Sequence, residues 1–446
     1  MQRIYETEAY SPASDQGNYW LSTVTDSRAP FPQLSGSRRV EVAIVGGGYT
    51  GLSAALHLAE AGTEALVLEA QTIGYGASGR NGGFAMIGGA KASDSSLIRR
   101  FGLEGLRDFH RGQRASVDLV ADLLTRLNIN ADTHSKGELC LAHRPRDMAA
   151  LRAESQHQKA LFGLDAEIIE PGDLAARGMA GPGFHGGMIY PLGFALNPRK
   201  YVLGLAHAAL DAGAEICANS AVQLISRNPD GSYLLRCETG EVVAKKLILA
   251  TNGYSSDDLP GWMKARYLPV QSNVLVSREL TDGEISSQGW STDLMAFDTR
   301  NLLHYFRLMP NRRFLFGMRG GIKASPGAIA EMHRRIRRDF ETMFPAWSEV
   351  ETPYFWSGLA CLSRNLTPYV GPVDNWPGAY TGIAYHGNGV AMASYAGALL
   401  ADLVLNRSTR PYPEIMKAPL KRFPFGAWRR NLLTPAYGWY GLVDGA

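Results

Sequence analysis

No C-x-x-C pair occurs in this chain, and its four cysteines, Cys140, Cys217, Cys237 and Cys361, lie far apart. That excludes a metal cage or a disulfide framework read from spacing and suits a reducing cytoplasm. No apolar run reaches the roughly eighteen residues of a membrane span, so no transmembrane helix is expected. The first 35 residues carry Glu6, Glu8, Asp15 and Asp26 and have no apolar h-region, which argues against a secretory signal. Charge of one sign is equally scarce: the formal net charge is +3 and the basic residues are scattered. They leave no electrostatic footprint for nucleic acid or for an anionic membrane surface. The run Arg334, Arg335, Arg337 and Arg338 reads as a solvated helix face beside Glu331 and Asp339.

What is abundant is glycine, 49 residues in 446, in a chain longer than one hydrophobic core usually serves. Two interleaved domains are therefore expected. Val40 to Val45 is a continuous apolar run broken only by Glu41, of the kind a buried parallel strand needs. Gly46, Gly47, Gly48, Tyr49, Thr50 and Gly51 follow, and an apolar helix pattern runs from Leu52 to Ala61 before Gly62. Strand, G-x-G-x-x-G turn and helix together form a dinucleotide-binding unit, with the helix N-terminus facing the pyrophosphate. A second strand, Ala65 to Leu68, ends in Glu69 and Ala70, where a carboxylate can accept from ribose hydroxyls. An acid there disfavours a 2′-phosphate but leaves FAD and NAD open.

The next segment bears on that choice. Between Ile73 and Gly83 the chain places five glycines around Ala77, Ser78, Gly79, Arg80, Asn81, Gly82 and Gly83. An extended backbone with so few side chains can lie flat against a large planar ring, while Ser78, Arg80 and Asn81 supply donors for phosphate or ribityl oxygens. A flexible surface loop is the competing reading of the same glycines.

From Val42 to Gly83 the sequence resembles the D-amino-acid oxidase-like FAD-dependent oxidoreductases, closest to the γ-glutamylputrescine oxidase branch. Further blocks extend the resemblance over most of the chain: Tyr190-Pro191, Asn197-Pro198 with a helix from Tyr201 to Gly213, Lys246 to Gly253, and Tyr385 to Gly389 with its following helix. It implies an α/β fold in which an FAD-binding Rossmann-like, glutathione-reductase-type domain (36–90, 188–253 and 354–446) is interleaved with an α+β substrate domain. The latter, built on an antiparallel sheet, would comprise 91–187 and 254–353, with 1–35 as an N-terminal extension. The cofactor implied is non-covalent FAD, touched by the two glycine segments above and by Val222, Thr251, Asn252, Gly253, Gly387, Asn388, Gly389 and Val390. Cys361 is read as a small core residue rather than a flavin attachment point.

The strand-like runs from Leu302 to Leu308 and Arg313 to Gly317 flank Pro310-Asn311 and read as a hairpin, which resembles the family's strand pair over the ring. Catalytic-side candidates are Tyr305, Arg307, His386 and Arg364, with Arg319 as a further carboxylate holder and Trp356 and Tyr254 as aromatic walls. The expected reaction is oxidation of a secondary amine or amino acid. Hydride passes from the carbon beside nitrogen to flavin N5, the imine is hydrolysed, and dioxygen is reduced to peroxide. A dehydrogenase passing electrons to a quinone and a non-catalytic flavin-binding protein are the alternatives. The aromatic, basic segment from Phe423 to Tyr440 is a candidate docking surface for the former.

Overall fold

The computed structural model describes residues 1–25, 28 and 30–445. Asp26, Ser27, Ala29 and Ala446 lie outside the described residues, Asp26 among the acids noted above. Strand β1 (Gly36–Val45) runs parallel between β2 (Ala65–Leu68) and β11 (Gly240–Leu249). The sheet continues through β8 (Glu215–Cys217) beyond β2. Beyond β11 lie β18 (Ala379–Ile383), parallel, and the antiparallel edge β17 (Tyr369–Pro372). Two further strands, β9 (Leu224–Arg227) and β10 (Tyr233–Arg236), form an antiparallel flap on β11. The apolar run of β1 is buried because alternate side chains enter two cores: Val42 and Ile44 face the helices, Ala43 and Val45 the other side. Each such branched side chain contributes about 1.5–3 kcal/mol through burial.

Helix α1 (Tyr49–Glu60) leaves β1 at the glycine turn and packs between α4 (Pro198–Asp211) and α7 (Gly389–Leu405). The α7 residues are buried almost all round, as a sequence apolar but for Ser394 and Asp402 requires. At Gly397 an added Cβ would lie 2.3 Å from the Thr50 carbonyl oxygen, so the α1 and α7 backbones touch. Helix α4 begins three residues before the expected Tyr201, because the Asn197 carboxamide accepts the Arg199 and Lys200 N–H groups and Pro198 supplies the first helical φ.

The second sheet has the order β16, β12, β15, β14, β13, β4, β6, β5. Its strands are β4 (Glu138–Leu141), β5 (Glu167–Ile169), β6 (Gly187–Tyr190), β12 (Leu268–Glu279), β13 (Met295–Asp298), β14 (His304–Leu308), β15 (Arg313–Arg319) and β16 (Tyr354–Leu362). Every pairing is antiparallel except that of β13 with β4. The expected hairpin is β14 and β15. Two strands differ from the expected division: β6 from residue 188 onward and all of β16 fall in the expected nucleotide half yet pair in this second sheet, since a buried strand carries no label of the sheet it joins. A small pair, β3 (Phe84–Ala85) with β7 (Phe194–Ala195), bridges the halves.

The remaining helices are α2 (Asp94–Arg126, broken at Gly102), α3 (Asp147–Phe162), α5 (Asp282–Gln288), α6 (Pro326–Met343), α8 (Glu414–Lys417) and α9 (Leu433–Asp444). No helix among the described residues is long and apolar enough to cross a membrane. The basic run lies on α6, where Arg334 pairs with Glu331 and Arg337 with Glu341, while Asp339 turns inward to His304 Nε2 at 3.1 Å.

Glu138 on β4 is buried, its Oε1 has no hydrogen-bond partner, and burial pushes its carboxyl up to about 8. The folded pKa exceeds the unfolded one, so ionisation opposes folding, and stability falls as pH rises from the ordinary carboxylate range to about 8. Glu138→Gln is expected to stabilise the protein relative to wild type. The gap should widen to about 1–3 kcal/mol at the alkaline end in denaturant melts. An unchanging gap across that range would refute the assignment.

Candidate active site

Three segments meet at the carboxyl edge of the first sheet. The first is the glycine turn after β1. A Cβ at Gly51 would stand 1.9 Å from the Gly46 carbonyl oxygen, so only glycine lets α1 start this close to β1. The α1 N-cap is Gly48, so the helix N-terminus carries no capping side chain of its own. Tyr49 N–H donates to Ser78 Oγ at 3.0 Å, and Glu69 Oε2 accepts the Gly47 N–H at 2.6 Å. Burial raises the Glu69 carboxyl while the N–H groups of Gln71, Gly47 and Ala70 oppose that shift. A helix N-terminus with a cradle too narrow for a Cβ, and an acid at the end of the neighbouring strand, fit a pyrophosphate and a ribose. Val222 lies buried in the loop beyond β8, on the same side as Leu68.

The second segment is the turn before α7. Tyr385 OH and Thr50 Oγ1 are 2.8 Å apart, and Ser53 Oγ donates to the Ser394 carbonyl at 2.7 Å. Residues near 50 and near 387 thus share one place, and Gly387, Asn388, Gly389 and Val390 open α7 beside the N-terminus of α1. Asn252 Oδ1 accepts the Ala384 N–H at 2.9 Å, which latches the Thr251, Asn252, Gly253 turn to the same edge. Asn388 Nδ2 donates to the Ile87 carbonyl.

The third segment, Ile73 to Gly83, departs from the expected extended course. Ala77–Gly79 is a 3-10 turn, because Asn81 Nδ2 donates to the Ala77 and Ser78 carbonyls, each at 3.0 Å, and Asn81 Oδ1 accepts the Gly83 N–H at 2.7 Å. Arg80 has Nε and Nη1 committed to the protein, while its buried Nη2 has no partner among the described residues. Its guanidinium is buried between Tyr75 and Ser357 carbonyls and Ser14 of the N-terminal extension, with Asp15 at 3.5 Å. Trp20 and Trp356 indoles donate to the Asn81 and Arg80 carbonyls, both from behind the loop. Trp356 and Tyr254, whose hydroxyl accepts the Leu359 N–H, therefore brace this loop instead of walling a substrate.

On the side of the second sheet the candidates separate. Tyr305 lies across Gly82 and Gly317, its hydroxyl 2.9 Å from Ser272 Oγ, so its ring faces the glycine loop. Arg307 is not available to a substrate: it is 1% exposed, donates to the Leu196 carbonyl at 2.8 Å and to His134 Nε2 at 3.1 Å, and burial pulls it down to about 9. Arg364 is exposed and donates to the Arg422 carbonyl, outside the cleft. His386 has both ring nitrogens committed to backbone: Nδ1–H donates to the Gly89 carbonyl at 2.9 Å and Nε2 accepts the Ser363 N–H at 3.2 Å. Burial holds it down to about 4, so it is a neutral strut and not an acid or base at neutral pH. Cys361 is buried, with its thiol pushed up to about 12, which keeps it protonated.

Arg319 behaves differently. It lies on β15 opposite Ser272, its Nη2 would stand 2.9 Å from a Cβ at Gly387, and no carboxylate pairs with it among the described residues. Lys91, which the sequence reading passed over because nothing local marks it, is its neighbour. The Arg319 charge, aided by partial desolvation, holds the ammonium of the solvent-exposed Lys91 down to about 7. Tyr437 of α9 lies close enough to feel Arg319 as well. Two cations beside Gly387 that no carboxylate contacts directly among the described residues, with Tyr305 and Tyr437 as neighbours and Asp298 acting only from farther off, can receive an anionic group. Among the described residues no cluster of acids, histidines and cysteines could hold a metal.

Fold and site together define a flavin-dependent oxidoreductase. The chain belongs to the DAO family of FAD dependent oxidoreductases, whose profile matches residues 41–403. It is 29% identical to the gamma-glutamylputrescine oxidoreductase of Escherichia coli (strain K12) over 418 residues, 93% of this chain and 95% of that protein. It is also 29% identical to the probable oxidoreductase OrdL of Rhizobium meliloti (strain 1021) over 438 residues, 97% of this chain and 99% of that one. The crystal structure of glycine oxidase from Geobacillus kaustophilus superposes with a TM-score of 0.70 at 21% identity, covering 86% of this chain and 100% of that one. The cofactor of the family is FAD, and the residues described above fit it.

Replacing His386 by Ala leaves the Gly89 carbonyl and Ser363 N–H unpaired beside the second turn. The expected cost is about 1–3 kcal/mol of stability and a weaker hold on FAD, by about tenfold. Flavin fluorescence titration and thermal melts check this; an unaltered affinity and melting point would show that the strut is dispensable.

Proposed function

We propose that the protein oxidises a carbon–nitrogen bond in an amine or amino acid that carries a carboxylate. The observation that carries this reading is the pair Arg319 and Lys91 beside Gly387, neither of them in an ion pair with a carboxylate among the described residues. Relatives named gamma-glutamylputrescine oxidoreductase and glycine oxidase support the same chemistry.

The chemistry available from bound FAD is two-electron acceptance from a carbon–hydrogen bond. The chain's own residues do the rest. Arg319 and Lys91 fix the substrate carboxylate, and their positive charge favours the neutral form of a nearby amine, which is the form that can give up hydride from its α-carbon. Tyr305, held by Ser272, packs on the substrate from the sheet side. The positive end of α7 stabilises negative charge that develops next to Gly387 and Asn388 during reduction. The iminium product is hydrolysed by water to a carbonyl compound and a smaller amine, with dioxygen as the acceptor that yields peroxide.

Lys91 is cationic below about 7 and loses that charge as pH rises through this value, so KM for a carboxylated amine should rise over the same range. Lys91→Met should raise KM about tenfold at lower pH with kcat little changed, and abolish that rise. An anaerobic screen of amines for flavin bleaching, with mass analysis of products, supplies the substrate for this test. Bleaching solely by 2-hydroxy acids would overturn the amine reading, and an unchanged KM in Lys91→Met would overturn the role of the pair.

A further inference from the structure

The last turn of the fold exposes what the rest of the molecule hides. Phe425, Trp428, Trp439 and Leu442 are 70%, 74%, 64% and 79% exposed, more than any other large apolar side chain among the described residues. Helix α9 contains a single charged residue, Asp444, and that residue is buried, accepting the Asn301 and Leu302 N–H groups. Its outward residues are Thr434, Pro435, Gly438, Trp439 and Leu442. An outward helix face with no charge is not one that water favours.

Next to this segment the fold gathers cations that are dispersed in the sequence. Arg364 reaches the Arg422 carbonyl, and Phe423 N–H donates to the Ala265 carbonyl, so Lys264, Arg364, Lys421 and Arg422 stand together. All four are exposed, and none pairs with a carboxylate among the described residues. Burial lowers the Arg266 pKa, and the positive charge of Arg422 adds to that shift while Asp374 opposes it.

We infer that the segment 421–442 docks on an anionic lipid bilayer surface, with the aromatic and leucine side chains in the interface and Lys264, Arg364, Lys421 and Arg422 on the headgroups. Exposed Trp, Phe and Leu beside unpaired Lys and Arg is the side-chain set that a headgroup region receives. Twelve residues of α9 are too few to span a bilayer, so the helix lies on it. A second copy of the chain is the less suitable occupant, because a two-fold contact of this face with itself sets its cations against each other. The inner face of α9 carries Tyr437, close to Arg319, so docking would bring the cleft wall to the membrane surface. The inference does not depend on the substrate.

The test is sedimentation of the full-length, FAD-loaded protein with vesicles of phosphatidylcholine alone or mixed with phosphatidylglycerol, at low and high salt. Wild type should pellet with the anionic vesicles and be released by salt. Trp439→Ser with Leu442→Ser, and separately Lys421→Glu with Arg422→Glu, should each weaken pelleting by about tenfold or more at unchanged flavin content and melting temperature. Absence of pelleting, pelleting that neither pair of substitutions alters, or loss of a solution dimer in the Trp439 and Leu442 variant without any vesicle binding by wild type would overturn it.

Discussion

The contact on which the rest depends is the backbone approach of α1 and α7 at Gly397 and Thr50. One helix leaves the first strand of the sheet and the other leaves the last parallel strand, and they are separated by more than 300 residues of sequence. Because they touch, their N-termini open side by side. The Tyr385–Thr50 and Ser53–Ser394 hydrogen bonds keep that alignment, since each satisfies a polar group that would otherwise be buried unpaired. The two helix ends then form one electropositive edge, which suits a pyrophosphate at one turn and a reducible ring at the other.

Around that edge, most polar side chains are spent on scaffolding. Arg80, Arg307 and His386 look catalytic by residue type, yet His386 is saturated by backbone groups and both arginines are largely committed to carbonyls or a neutral histidine, with only Arg80 Nη2 and Arg307 Nε left over. Their work is to hold the glycine loop, the β3–β7 bridge and the second turn in place. Arg319 and Lys91 stand apart because no carboxylate pairs with either among the described residues, and for the half-buried Arg319 that is costly unless a ligand does so. That contrast between satisfied and unsatisfied charge, rather than residue type, separates the framework from the binding side.

The strand, glycine turn, helix and strand from Val40 to Glu69 were legible in the sequence because each step is local: periodicity, a turn residue, a cap. The hairpin of β14 and β15 was legible for the same reason. The course of Ile73 to Gly83 was not, since Asn81 folds it by bonds to its own loop and glycine content alone permits either form. Arg364 sits close in sequence to the flavin edge and yet points to solvent, and Lys91 carries no local motif, because its significance comes from Arg319 on a distant strand. The basic cluster near α9 was likewise invisible in a sequence whose cations are scattered. The sheet assignments of β6 and β16 depended on partners far along the chain, which no single-strand pattern encodes.

The most direct measurement is the flavin stoichiometry of purified protein, read from its visible absorbance, in wild type and in Gly397→Val, whose side chain would wedge α1 from α7. The convergence of both turns on one cofactor predicts one FAD per chain in wild type and loss of most of it in the variant while the second sheet stays folded. Wild-type protein that takes up no flavin on reconstitution, or a variant that keeps it fully, would contradict the account.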